Sequence, residues 1–153
     1  MKKIALGLVL LLVFWFVRSS LIGKHPTPSQ QGNQLLQAVE AGNEAEVRRL
    51  LDAKVPVDSV DRTGNTALYF SACRGHAAIA ALLLDRGANI NAVGPSKDTP
   101  LHCAAMLSKP EVAKLLIERG AEVNALSADG YTPLREASDP TIQALLVAKG
   151  AHM

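Results

Sequence analysis

Histidine and cysteine carry the most versatile chemistry in this 153-residue chain, which holds four of the first and two of the second. A helical metal site would need two ligands three or four positions apart, and no two histidines stand so close; the cysteines form no Cys-x-x-Cys pair either. His25 and His152 lie near the two ends, while His76 and His102 sit in separate segments. Cys73 is followed by Arg74, whose charge favours a thiolate, so a thiol-based redox role at Cys73 is one reading, resting on that neighbour alone. The acids are dispersed, as in Glu44 and Glu46 beside Arg48 and Arg49, the pattern of a solvated helix face. Gly64-Asn65-Thr66 and its kin have the composition of turns and lack the spacing of a phosphate-cradling loop. These residues form no catalytic constellation, and neither an enzyme, a cofactor, a metal site nor a small-molecule substrate is expected.

The elements that would position such residues follow a fixed period. Thr99-Pro100-Leu101-His102-Cys103-Ala104 returns one period later as Thr132-Pro133-Leu134-Arg135-Glu136-Ala137, and stands one period after Thr66-Ala67-Leu68-Tyr69-Phe70-Ser71. Gly87-Ala88-Asn89-Ile90-Asn91, Gly120-Ala121-Glu122-Val123-Asn124 and Gly150-Ala151 keep nearly the same step. Self-similarity at a fixed step of about 33 residues marks a stacked array. Thr66, Thr99 and Thr132 are placed to cap helices, and Pro100 and Pro133 suit a first helical turn. The second helix of each unit carries Leu82-Leu83-Leu84, Leu115-Leu116-Ile117 or Leu145-Leu146-Val147, an apolar stripe that only a stacked neighbour can bury. Gly87, Gly120 and Gly150 stop those helices in a left-handed conformation.

The pattern Gly-x-Thr-Pro-Leu-His-x-Ala, Gly-His, an apolar helix and Gly-Ala-x-Val-Asn resembles the ankyrin repeat. Three units align over Ser59 to Ala151, and a fourth lies upstream, where Gly42 precedes Gly75 and Leu50 precedes Leu83 by the same step. The upstream unit lacks the Thr-Pro-Leu-His opening, as an N-terminal cap does. The resemblance implies an all-α repeat solenoid of about four helix-turn-helix units (34–58, 59–91, 92–124 and 125–153) joined by β-hairpin loops. It also implies that His76 and His102 hold turns and neighbouring units through hydrogen bonds. Two positions depart from the pattern: Lys97 stands where Gly64 and Gly130 occupy the loop, and Ser108 replaces the second glycine. The last unit is three residues shorter, so its first helix or inter-helix turn is expected to be trimmed, with Pro140 opening the second helix. No polar capping repeat follows, which leaves an edge to fray or to be covered by a partner. Cys103 aligns with Phe70 and Cys73 with Met106; at these unequal positions a disulfide looks strained, and free thiols are favoured over a bridge.

The formal charge of +2 divides unevenly. Residues 1–33 hold Lys2, Lys3, Arg18 and Lys24 and no acid, whereas the remainder holds 12 basic and 14 acidic residues, so no basic stripe argues for nucleic acid. Met1-Lys2-Lys3 precedes an uncharged run from Ile4 to Val17 that includes Phe14-Trp15-Phe16. This is a signal peptide or a signal anchor. Val17-Arg18-Ser19 is a poor cleavage site, and Ile4 to Gly23, at about 1.5 Å per residue, spans a hydrocarbon core of about 30 Å, which favours an uncleaved N-terminal hydrophobic helix. Residues 1–23 are therefore expected to anchor the chain, through residues 4–22, in a bacterial inner membrane, with 24–33 a flexible tether and 34–153 exposed in the periplasm. If cleaved, the domain would be released there.

In the arrays this chain resembles, partners meet the loop tips and the exposed side of the first helices. By register, that face receives Val60, Arg62, Thr63, Asn65, Cys73 and Arg74 from one unit and Val93, Pro95, Ser96, Asp98, Met106 and Leu107 from the next. The last unit adds Leu126, Ala128, Asp129 and Tyr131. Met106, Leu107, Leu126 and Tyr131 are large apolar groups at solvent-facing positions, a combination enriched at protein interfaces. The expected function is a non-enzymatic module that binds a partner protein; an immunity or inhibitor protein acting on a periplasmic toxin or enzyme is the alternative.

Overall fold

The computed structural model describes residues 28–152; the proposed anchor over residues 1–23 lies outside them. Helix α1 (Pro28–Glu40) pairs with α2 (Glu44–Asp52), α3 (Ala67–Arg74) with α4 (Ala77–Asp85), α5 (Pro100–Met106) with α6 (Pro110–Glu118), and α7 (Pro133–Glu136) with α8 (Pro140–Ala148). First helices stack on first helices and second on second, giving two helical layers that share one core. Among the described residues no helix is long and apolar enough to cross a membrane. The tether expectation fails at its C-terminal part, because residues 28–33 already belong to α1, where Gly32 packs against Ser59 of the next unit.

Each first helix after the cap begins as the threonines predict. Thr66, Thr99 and Thr132, in extended backbone, accept hydrogen bonds from the N–H groups of Tyr69, His102 and Arg135. Pro100 and Pro133 occupy the first turn, where a missing N–H costs nothing. The shortened unit loses its residues from the first helix: α7 has only four, against eight in α3 and seven in α5. Asp139 then caps α8 through the N–H groups of Thr141 and Ile142.

Burial follows the stacking. Leu35, Leu68, Leu83, Leu101, Leu116, Ile142 and Leu146 are sealed in the core, each contributing about 1.5–3 kcal/mol relative to exposure. The stripe is not uniformly buried, however. Ile117 is 5% exposed because α6 lies between α4 and α8, whereas Val147, at the same register, is 59% exposed because α8 has a helical neighbour on one side only. The expected β-hairpins are also reduced. Among the described residues the loops contain no strand and one antiparallel bridge, Val60 with Thr66, and they turn back through single bonds such as Asp61 N–H to Asn65 O and Ser127 N–H to Tyr131 O. Turns this tight leave no length for a ladder.

Two ladders fix the register between units. Asp58, Asn91 and Asn124, one period apart, accept through a side-chain oxygen the backbone N–H of Asn89, Glu122 and His152 respectively, at 3.0 Å each. On the other layer Asp52 pairs with Arg86, and Asp85 with Arg119, at 2.8 Å. A covalent tie joins the middle units: Cys73 of α3 and Cys103 of α5 form a disulfide with Cα atoms 5.2 Å apart. This corrects the expectation of free thiols. Neighbouring first helices touch through unlike register positions: Cys103 shares the register of Phe70, and Cys73 stands three residues beyond it.

Among the described residues three non-glycine residues adopt positive φ: Lys54 (66°), Lys97 (56°) and Ser108 (52°). Each stands where the other units place Gly87, Gly64 or Gly75. The fold therefore imposes the left-handed turn even where a Cβ makes it costly, by about 1–2 kcal/mol. Lys97→Gly and Ser108→Gly should each stabilise the array by about 0.5–1 kcal/mol in urea unfolding, the backbone relief exceeding the entropy glycine adds to the unfolded chain. A loss of stability at either position would contradict the account.

Candidate functional site

The loop tips form a connected ridge. Asp61 builds the first loop: its carboxylate accepts from Thr63 N–H at 2.8 Å, from Thr63 Oγ1 at 2.7 Å and from Asn65 N–H at 3.0 Å. Burial pushes this carboxyl upward, but the bonds from Thr63, Asn65 and Gly64 outweigh it and hold the pKa below its ordinary value. Asn65 and Gly64 lie against Gly94 and Pro95 of the next loop, where a side chain at position 94 would collide with Asn65. The second loop joins the third through Ala128 N–H to Ser96 O at 2.7 Å. In the third loop Ser127 stands where Asp61 stands in the first, and its Oγ accepts from Tyr131 N–H at 3.2 Å. Thr63 and Asn65 thus shape their own loop, around an Asp61 whose place two residues before Thr63 is the signature of an Asx turn.

His102 anchors this ridge to the core. It is fully buried, and Thr99 N–H donates to its Nδ1 at 3.1 Å, with Thr99 Oγ1 2.8 Å from the same atom. The ring proton is therefore on Nε2, which donates to Tyr131 O at 3.0 Å in the next unit. Both nitrogens are engaged in scaffolding. His76 behaves differently from what the resemblance implies: it makes no side-chain cap bond and its Nε2 has no hydrogen-bond partner. Its ring lies against Gly42, where an added Cβ would come within 3.0 Å, so it packs the preceding turn instead of bonding to it. Lys109 uses its aliphatic stem in the same way on Gly75.

Above this frame the proposed contact residues are largely open. Met106 is 47% exposed, Leu107 45%, Leu126 59% and Tyr131 37%; Val60 and Val93 share the register of Leu126 and are also exposed. Arg62, Thr63, Pro95, Ser96 and Asp129 are exposed, and Asn65 and Asp98 are half-buried. Arg74 is exposed but reaches Glu40 of the first unit at 3.5 Å. The apolar residues do not all share one depression: Val93 and Leu126 line a cleft of about 480 Å³ with Lys97, Glu122 and Asn124, and Met106, Leu107 and Tyr131 are outside its lining. Cys73 is bound in the disulfide, and the described residues contain no free cysteine, which overturns the reading of Cys73 as a reactive thiol. Among the described residues no group of three His, Cys, Asp or Glu side chains is placed to hold a metal ion.

Three further residues of this face escape a motif-based reading. Arg135 lies over the Tyr131 ring, 4.1 Å from its centroid, which holds that ring in place. Tyr69 packs edge-on against Phe70, and burial, then the charges of Asp98 and Glu136, raise its pKa. Glu136 Oε2 is buried without a partner; burial raises this carboxyl's pKa, and the charges of Asp98 and Asp129 add to the rise. The signal was present in the period, since Tyr69, His102 and Arg135 share one register.

Residues 10–94 match a family model described as ankyrin repeats in three copies, and residues 96–128 match the single ankyrin repeat. No curated protein matches the chain.

The buried groups can be tested one at a time. His102→Ala should cost about 2–4 kcal/mol in urea unfolding, because it opens a cavity and leaves Thr99 N–H and Tyr131 O unpaired; a loss below about 0.5 kcal/mol would refute that role. Glu136 favours its protonated form in the fold, so its contribution to stability is full below the ordinary carboxylate pKa and is lost as pH rises through the raised folded value. Glu136→Gln should therefore flatten the decline of the urea midpoint above that range, and an unchanged pH profile would count against it.

Proposed function

The chain belongs to the ankyrin-repeat family, a family of generally non-enzymatic binding scaffolds, and from that premise we propose that it captures a protein partner in the bacterial periplasm through its loop tips and first-helix face. The observation that carries the reading is the exposure of Met106, Leu107 and Tyr131 on a face whose polar groups, at His102, Thr99 and Asp61, are already consumed by the scaffold. Large apolar and aromatic side chains left open on a rigid frame are the usual anchors of an interface. Arg62 and Asp129 at the tips supply charge at its rim.

Two features support the location. A disulfide is at home in an oxidising compartment and rare in a reducing cytosol. Lys2 and Lys3 before the apolar run from Ile4 favour a cytoplasmic N-terminus with the array on the far side of the membrane. An uncleaved anchor would hold the array at the inner membrane.

Crosslinking and pull-down from native periplasm tests the binding face. Leu107→Arg and Tyr131→Ala should each abolish capture of a partner that the unaltered protein retains, with far-UV helical content unchanged; equal recovery by both variants would sink the assignment. Fractionation tests the anchor separately: the mature protein should stay with membranes and keep Met1, whereas a soluble product starting near Ser20 would contradict it.

A further inference from the structure

We propose that the Cys73–Cys103 disulfide is a reducible staple that sets the junction between the second and third units, and that a dithiol reductant opens it without unfolding the array. The two sulfurs are unequally placed. Cys103 lies in the middle of α5 and is 2% exposed, while Cys73 is half-buried, one residue from the C-terminal end of α3 and at the register of exposed Met106. A thiolate from solvent therefore meets Cys73 before Cys103.

The chemistry balances with a dithiol. One thiolate attacks Cys73 Sγ, the S–S bond breaks, and Cys103 leaves as a thiolate that takes up a proton. The second thiol of the reductant attacks the mixed disulfide and releases Cys73. The reductant departs as its own disulfide, and two electrons and two protons have passed to the two cysteines.

What reduction frees is local. The end of α3 is held from both sides: Arg74 pairs with Glu40 of the first unit, and the adjacent Cys73 is bonded into the third. Losing the second tie leaves that end held forwards by packing alone, including the Lys109 stem on Gly75. The third unit keeps its own support, because Leu101 and Ala104 of α5 are fully buried and a reduced Cys103 remains a small apolar residue among them. The second-helix layer also keeps its Asp85–Arg119 pair. Opening is therefore confined to the first-helix side, at the end of α3. Any effect on partner capture rests on the binding face proposed above; the opening itself does not.

Hydrogen exchange of the full-length protein, oxidised and after dithiothreitol without denaturant, reads this directly. The bond should be reduced under those conditions. Amides at the C-terminal end of α3 should then exchange at least about tenfold faster, with α5 and α8 unchanged. The Cys73→Ser/Cys103→Ser double variant should match the reduced protein in both respects. Resistance of the bond to dithiothreitol until the chain unfolds would overturn the proposal. So would an equal rise in exchange across all helices, the mark of a staple that adds only global stability. Because the readout needs no partner, a failed pull-down would leave it standing.

Discussion

A pair of short antiparallel helices has more apolar surface than it can hide by itself, and everything else in this molecule answers to that constraint. Leu83, Leu116 and Leu146 show it most directly: each belongs to a second helix of nine residues and is fully buried by its own pair together with its neighbours. Helices so short are marginal alone in water, so stacking supplies the stability that local propensity does not. The contrast between Ile117 and Val147 is the same constraint seen at its limit, since the last helix has no following unit to cover the side that Val147 occupies.

Apolar contact sets how closely units approach but is too undirected to set how they turn against one another. That task falls to polar groups repeated at the period. Asp58, Asn91 and Asn124 each reach a backbone N–H of the following unit, and the Asp–Arg pairs do the same for the second-helix layer. The ion pairs are exposed and add little energy, so their contribution is to orientation. The backbone-directed bonds matter more, because they satisfy N–H groups at the helix-to-loop exits that would otherwise depend on water.

Much of this is legible in the sequence, because a fixed period states both the unit and the neighbour it must meet. Thr66, Thr99 and Thr132 mark helix starts, and the missing residues before Pro140 correspond to the shortened α7. Other features depend on how two units lie together, which no single register conveys. Comparing Cys73 with Met106 and Cys103 with Phe70 compares like positions, yet stacked helices touch through unlike ones, so the disulfide is hidden from that comparison. The tether expectation fails at residues 28–33 for a related reason: proline and polar residues suit a linker, but Pro28 can also open a helix whose later residues, Leu35 and Val39, are buried by the array. At the site, the contact positions and the place of Arg135 come from register, whereas the ring contact of Arg135 on Tyr131 and the unpartnered Glu136 depend on how the side chains fold back, which the period does not state.

The same division explains why the proposed contact face has the composition it has. Polar side chains that in another fold would be free for chemistry are here spent on the repeat: His102 on Thr99 and Tyr131, Asp61 on its loop, Asn124 on the last unit. Once these are committed, the open face holds apolar groups and charges that no scaffold bond requires. The proposed contact positions are for the most part those where the units differ. Leu126 replaces the valines of the earlier loops, Tyr131 stands where Asn65 and Asp98 stand, and Cys73 takes the place of Met106. The disulfide and the exposed Met106, Leu126 and Tyr131 lie at positions where the units differ, which leaves the repeated threonine caps and turn residues intact.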